Sequence, residues 1–185
     1  MKQSSKNPEA ESAGKVIARR RNRVLDIQGY VSFFVRLALI VLCVWLLLSQ
    51  VFFFSQVKGN GMFPAAKDGD LLIGFRLQGT YLKDDIVLCR VDGEPVVGRI
   101  AARQGDVVGL DDSGQLYVNG TPQSGEIMYP SYAKEGIEYP YTVPDGHFFI
   151  MGDYRTKTRD SRDFGAVAEG DVEGKVISLL RRRGL

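Results

Sequence analysis

Cysteine is scarce in this chain, and the two present are out of each other's reach. Of 185 residues, only two are Cys, one is Trp and one is His. Cys43 falls inside a long apolar run and Cys89 in the polar remainder, so no internal disulfide staples the fold and stability must come from a packed core. About 128 residues beyond the apolar run are enough for one. An exported domain without a disulfide suits a Gram-positive or related source better than a disulfide-stapled eukaryotic one. The lone His147 and Cys89 lack partners at ligand spacing, so no metal and no other cofactor is expected. The net charge is only +2 and no aromatic residues interleave with the arginines, which argues against nucleic-acid binding. A second long apolar run is also missing, so a single membrane span is the most the sequence offers.

That span is written plainly. Leu37 to Phe54 holds no formal charge, and extended back to Val31 it exceeds the roughly 20 residues a helix needs to cross a bilayer. Arg36 interrupts it near one end, where a long side chain can snorkel to the interface. A buried core helix would be amphipathic, and this one is apolar on every side. A cleaved signal peptide would end in small residues, whereas this run ends Phe54-Ser55-Gln56-Val57-Lys58. An uncleaved anchor is therefore expected, with lipid as one partner. Lys2, Lys6, Lys15, Arg19, Arg20, Arg21, Arg23 and Arg36 stand against Glu9, Glu11 and Asp26 on its N-terminal side. The positive-inside rule then places the N-terminus in the cytoplasm and the remainder outside. The division expected is a basic tail over residues 1–30, an anchor over 31–57 and an extracytoplasmic domain over 58–185. Met1 to Ala13 reads as disordered, and Lys15 to Gln28 as either a short basic helix or a solvated tail.

Beyond the anchor the pattern turns to short strands. Asp70 to Phe75, Asp85 to Arg90, Pro95 to Ala102, Gly105 to Leu110, Leu116 to Val118, His147 to Met151 and Lys175 to Leu180 are β-like runs split by Gly and Asp turns. Asn119-Gly120 favours a type I′ hairpin turn. No helix-period stretch of any length appears, so an all-β domain is expected. Tyr129 to Tyr141, rich in Tyr, Pro and Gly, reads as a surface loop that either connects strands or carries binding.

Three blocks stand in this domain. The first is Gly59-Asn60-Gly61-Met62-Phe63-Pro64, followed by Lys67-Asp68-Gly69-Asp70. The second is Pro95-Val96-Val97-Gly98-Arg99-Ile100-Ala101-Ala102-Arg103-Gln104-Gly105-Asp106. The third runs from Val143-Pro144-Asp145-Gly146-His147 through Gly152-Asp153-Tyr154-Arg155 to Thr158, Asp160-Ser161-Arg162 and Phe164-Gly165. In that order, after an anchor, they resemble the type I signal peptidases of the serine peptidase S26 kind. In that family the residue before Met62 is the nucleophilic serine, and Gly61 stands there. The general-base lysine position holds Gly98. Smaller departures are Ala65-Ala66 for Thr-Leu, Gln104 for Pro and Tyr154 for Asn.

A Ser-Lys hydrolase needs a hydroxyl to attack, an unprotonated amine to take its proton and donors for the oxyanion. With Gly61 and Gly98 the first two are missing, so the catalytic residues are expected to be none and the chain is expected not to be an enzyme. The resemblance implies a peptide groove of Gly61, Met62, Phe63, Pro64 and Thr158, with the Gly61 N–H able to hold a peptide carbonyl. It implies a structural role near the site for Gly152, Asp153, Asp160 and Arg162. By resemblance to dyad-less, pilus-associated members, the leading function is binding of exported precursors without cleavage, as an accessory or chaperone beside pilins and a sortase. The alternatives are an active signal peptidase with a displaced nucleophile, for which Ser55 and Ser161 are the nearest serines, and a regulatory subunit of an active one. Lys58 and Lys67 flank the first block as solvated amines, and His147 reads as structural.

The charge asymmetry makes a test. A reporter enzyme active only outside the cytoplasm should be active when fused after Leu185 and silent after Arg23; the reverse pattern would refute the orientation.

Overall fold

The structure, a computed structural model, describes the backbone of residues 8–123 and 129–182, and the side chains of those from residue 28 onward. The first seven residues of the polar lead thus lie outside the described residues. The chain divides into two compact units, Met1–Leu48 and Ser49–Leu185.

The first unit is helical. A single α-helix, α1, runs over Pro8–Val51, so the later part of the polar lead and the basic stretch are continuous helix. Its Gln28–Val51 portion, 24 residues, is long and apolar enough to cross a membrane, and nothing in the structure buries it. At about 1.5 Å rise per residue it exceeds the ~30 Å hydrocarbon thickness. The helix stops short of the end of the apolar run. Phe52–Gln56 is β-strand β1, although the unbroken apolar composition reads as one span to Phe54. The cause lies in its pairing: Phe52 to Gln56 run antiparallel to Phe75 to Leu71.

The second unit is an all-β domain, as its short β-like runs predict. After β1 come β2 (Leu71–Phe75), β3 (Ile86–Val91), β4 (Glu94–Arg103), β5 (Val107–Leu110), β6 (Leu116–Val118) and β7 (Thr121–Pro122). Then follow β8 (Tyr141–Thr142), β9 (His147–Met151), the one-turn helix α2 (Ser161–Phe164), β10 (Val167–Ala168) and β11 (Val172–Leu180). Seven strands form one sheet in the order β1-β2-β11-β3-β4-β9-β10, and four form a second, β7-β6-β5-β8. Asn119 and Gly120 both have positive φ, the conformation a type I′ turn requires, and they close β6 onto β7.

Strand β4 is ten residues long and serves two partners. Its first half pairs with β3. Its second half pairs with β9, with a register shift between Ile100 and Ala102. Such a bulge bends a strand, and here both Ala101 and Ala102 join the core of the small sheet with Val108, Leu116, Val118 and Phe149. Ile100 and Ile150 belong to a second cluster with Val87 and Cys89. Burial raises the Cys89 thiol pKa to about 12, which keeps it an inert core residue. A third cluster gathers Val57, Met62, Ala66 and Leu72 beneath the first sequence block. Full burial of each large apolar side chain stabilises the fold by about 1.5–3 kcal/mol.

Gly74 is what lets β1 lie against β2. A Cβ there would stand 1.9 Å from Phe53 Cζ, so the ring of Phe53 rests directly on the glycine. Gly74→Ala should therefore displace Phe53 and cost about 1–3 kcal/mol. Denaturant unfolding of the variant would show this as a lower midpoint; an unchanged midpoint would mean the ring has another place to go.

Candidate functional site

The first block folds as a tight turn rather than an extended groove wall. Phe63 N–H donates to Asn60 O at 3.0 Å and Ala66 N–H to Met62 O at 2.8 Å, curling residues 60–66. Asp68 ties the turn down by accepting from the Gly59 N–H at 2.6 Å. Asp70 accepts from the backbone N–H of Lys67 at 2.9 Å and of Arg182 at 3.0 Å. Those two bonds hold its carboxyl below the usual carboxylate range. Gly61 O accepts from Tyr154 N–H at 2.9 Å, which docks the first block on the third. The Gly61 N–H donates to no acceptor among the described residues, so it remains available to a peptide carbonyl.

This curl separates the expected groove residues. Gly61, Met62 and Thr158 line a cavity of about 270 Å³ together with Ser55, Lys58 and Lys157. Met62 itself is only 2% exposed and belongs to the core beneath. Phe63 turns to Tyr154, ring centroids 6.0 Å apart. Pro64 lines a different, larger cleft of about 840 Å³. The reading of Met62, Phe63 and Pro64 as one groove surface is thus corrected: consecutive residues of a turn point to different sides.

The third block comes together around two buried pairs. Asp160 and Arg162 are both 2% exposed at the side chain and meet at 2.8 Å. Asp160 also accepts from Arg162 Nε at 2.9 Å and from the Gly152 N–H at 3.2 Å, and it caps α2. Arg162 donates onward to the carbonyls of Tyr132 and Arg155. Asp153 takes both donors of Arg99, Nε at 2.9 Å and Nη2 at 2.7 Å. Arg99 sits next to Gly98, so this pair joins the second block to the third. The sequence reading gave Arg99 no role; the fork of an arginine next to the base position and a buried Asp153 was the available signal. Ser161 is fully buried and accepts from Ile150 N–H at 2.8 Å, which removes it from the candidate nucleophiles.

Both glycines at the expected catalytic positions are explained by what fills the space beside them. A Cβ on Gly98 would stand 2.3 Å from Ile150 Cγ2, so a branched core side chain occupies the room a lysine stem would need. Next to Gly61, Thr158 Oγ1 lies 3.0 Å from the ideal Cβ position. The same hydroxyl would be 2.3 Å from a Cβ on Gly152, with Gly61 O at 2.6 Å. Gly152 is thus required for the first and third blocks to touch. Thr158 Oγ1 has one long contact of 3.5 Å to Arg159 O, so its hydroxyl is lightly held. Lys134 anchors the backbone there, donating to Thr158 O at 2.5 Å and to Asp163 at 2.6 Å. Burial alone would raise the Asp163 carboxyl, but the bonds from Lys134 and the Asp160 N–H outweigh it and hold the pKa low. Among the described residues no group of three His, Cys, Asp or Glu is placed to hold a metal ion.

Comparison with known proteins adds a further finding. The family described as "Signal peptidase, peptidase S26" matches residues 29–180. A "Signal peptidase I" of Bacillus licheniformis is 32% identical over 153 residues, covering 74% of this chain and 82% of its own. A "Signal peptidase IB" of Staphylococcus aureus is 29% identical over 140 residues, covering 65% of this chain and 73% of its own. The crystal structure of a signal peptidase I from Enterococcus faecalis V583 is 29% identical with a TM-score of 0.45, covering 54% of this chain and 97% of that one. The two relatives bear peptidase names over most of the chain's length. This corrects the expectation, drawn from Gly61 and Gly98 alone, that the chain is not an enzyme.

The packing at Gly98 makes a test. Gly98→Ala should destabilise the domain by about 1–3 kcal/mol through overpacking against Ile150. Adding Ile150→Ala should make the pair less costly than the sum of the two single changes. Additive losses in denaturant unfolding would mean the two positions are not in contact.

Proposed function

The chain belongs to the signal peptidase family, peptidase S26, and on that premise we propose that it binds the cleavage region of exported precursor proteins and cuts it with a relocated nucleophile, Thr158. One observation carries this reading: the Thr158 hydroxyl stands beside Gly61, in the space a residue-61 side chain would enter. It lines the same cavity as the Gly61 turn and is lightly held. The other candidates are poorer. Ser161 is sealed in the core, and Ser55 lines the cavity from strand β1.

A precursor strand lies in the cavity with its scissile carbonyl oxygen taken by the free Gly61 N–H. Thr158 Oγ1 attacks the carbonyl carbon, and its proton passes to a lysine amine of the same cavity, Lys58 or Lys157. The tetrahedral intermediate collapses to a threonyl ester as the C–N bond breaks, and the leaving amine takes that proton. Water then hydrolyses the ester. Both lysines are exposed residues at the cavity wall and not enclosed beside the hydroxyl, so turnover is slow. Loss of the native nucleophile in other serine peptidases costs on the order of a million-fold. Membrane-side delivery of the precursor follows from α1 acting as an anchor with the domain outside.

The full chain in detergent should cleave a fluorogenic signal-peptide substrate slowly, and Thr158→Val should abolish the signal while Ser55→Ala leaves it. No cleavage above a blank by the unaltered chain, or loss with Ser55→Ala alone, would sink the assignment.

A further inference from the structure

The larger cleft, about 840 Å³, is lined by Pro64 and Ala65 from the first block, by Arg99 and Ala101 of β4, by Leu116 of β6 and by Asp153 and Arg155 of the third block. It therefore lies where the two sheets meet, on the other side of the turn whose Gly61–Met62 portion borders the smaller cavity. Four basic side chains, Lys83, Arg99, Arg155 and Arg181, face two acidic ones, Asp84 and Asp153, along its wall. Arg99 and Asp153 neutralise each other in a two-point pair. Lys83 bonds to Gln123.

Arg155 differs from the others. It is only 5% exposed, yet no carboxylate lies within salt-bridge distance of it among the described residues. Its Nη1 donates to Ser131 Oγ at 3.1 Å and meets Met151 Sδ at 3.2 Å. Its Nε has no hydrogen-bond partner at all among the described residues. Burial lowers its pKa to about 10, although the carboxylates of Asp160 and Asp153, both in ion pairs with other arginines, pull it the other way. A buried charge is ordinarily paired, because leaving it unpaired costs several kcal/mol.

We propose that this cleft is a binding site for a single carboxylate, presented by an acidic side chain of an extended peptide and received by Arg155. One unpaired guanidinium calls for one negative charge, and its planar fork matches a carboxylate. A dianion such as phosphate would bring its second charge against Asp153 and Asp84. The cleft and the smaller cavity border the same turn, so an exported precursor held at Gly61 is the natural source of the acidic residue. Only that source rests on the proposed function; the site itself does not.

The test uses the full chain in detergent and three probes: acetyl-Gly-Glu-Gly-amide, its Gln twin and inorganic phosphate. Calorimetric titration should show the Glu peptide binding about ten-fold or more tighter than the Gln peptide, with phosphate weaker than either. The preference should vanish in Arg155→Met, a change that removes a buried unpaired charge and so should leave the fold at least as stable. If that variant does not fold, the Glu-to-Gln ratio on the unaltered chain decides. Equal binding of the two peptides, or no binding by either at millimolar concentration, overturns the site. Tighter binding of phosphate overturns its assignment to a carboxylate. Neither result touches cleavage through Thr158, which has its own readout.

Discussion

A buried ion pair, Asp160 with Arg162, holds the site together. The carboxylate receives donors from its arginine and from Gly152 N–H. The arginine reaches the carbonyls of residues 132 and 155. The loop at Tyr132 and the two ends of the run from Gly152 to Arg162 are thereby held to one point. An isolated charge at 2% exposure would be costly, but here the lone pairs and protons are nearly all matched, which is the condition under which a buried pair is sustained. Thr158, Gly152 and Asp153 all lie within the run that this pair ties down.

The two glycines at 61 and 98 differ in kind. At 98 the neighbourhood has closed, because Ile150 fills the space and has become part of the core. At 61 it has stayed open, with a polar hydroxyl next to the gap and an unused N–H on the backbone. Position 61 therefore borders a polar cavity, while position 98 is filled by Ile150 and the Met151 backbone. The sequence alone cannot distinguish these situations, since both read as glycine.

Much of the architecture could be read in advance from residue pattern. Short β-like runs split by Gly and Asp turns located β2, β3, β4, β5, β6, β9 and β11, and Asn119-Gly120 marked its hairpin. Strand β1 was hidden because Phe52 to Phe54 continue an apolar run without a break, so only pairing with β2 reveals the switch from helix to strand. Helix α2 is too short to show a period. In the site, the resemblance pointed to Gly152, Asp160 and Arg162 as structural residues, while the close approach that Gly152 permits was not legible. The division of Met62, Phe63 and Pro64 among core, ring contact and cleft was not, because it is set by two backbone hydrogen bonds of a turn. Arg155 looked like one more residue of a block; that no carboxylate reaches ion-pair distance of it among the described residues is a property of the three-dimensional neighbourhood.

Strand β11 pairs with β2 along one edge and β3 along the other, so it is the middle of a sheet whose flanking strands come much earlier in the chain. A polypeptide made from its N-terminus completes β1, β2, β3 and β4 long before that central piece exists. Until it arrives, β2 and β3 each present a bare edge of unpaired amides and carbonyls, the kind of template that invites other chains. Closing the gap requires long-range pairing, which is slow compared with local hairpin formation. The nascent domain therefore passes through a period of open β-edges, and its yield of folded protein should be limited by events during synthesis rather than by the stability of the finished sheet.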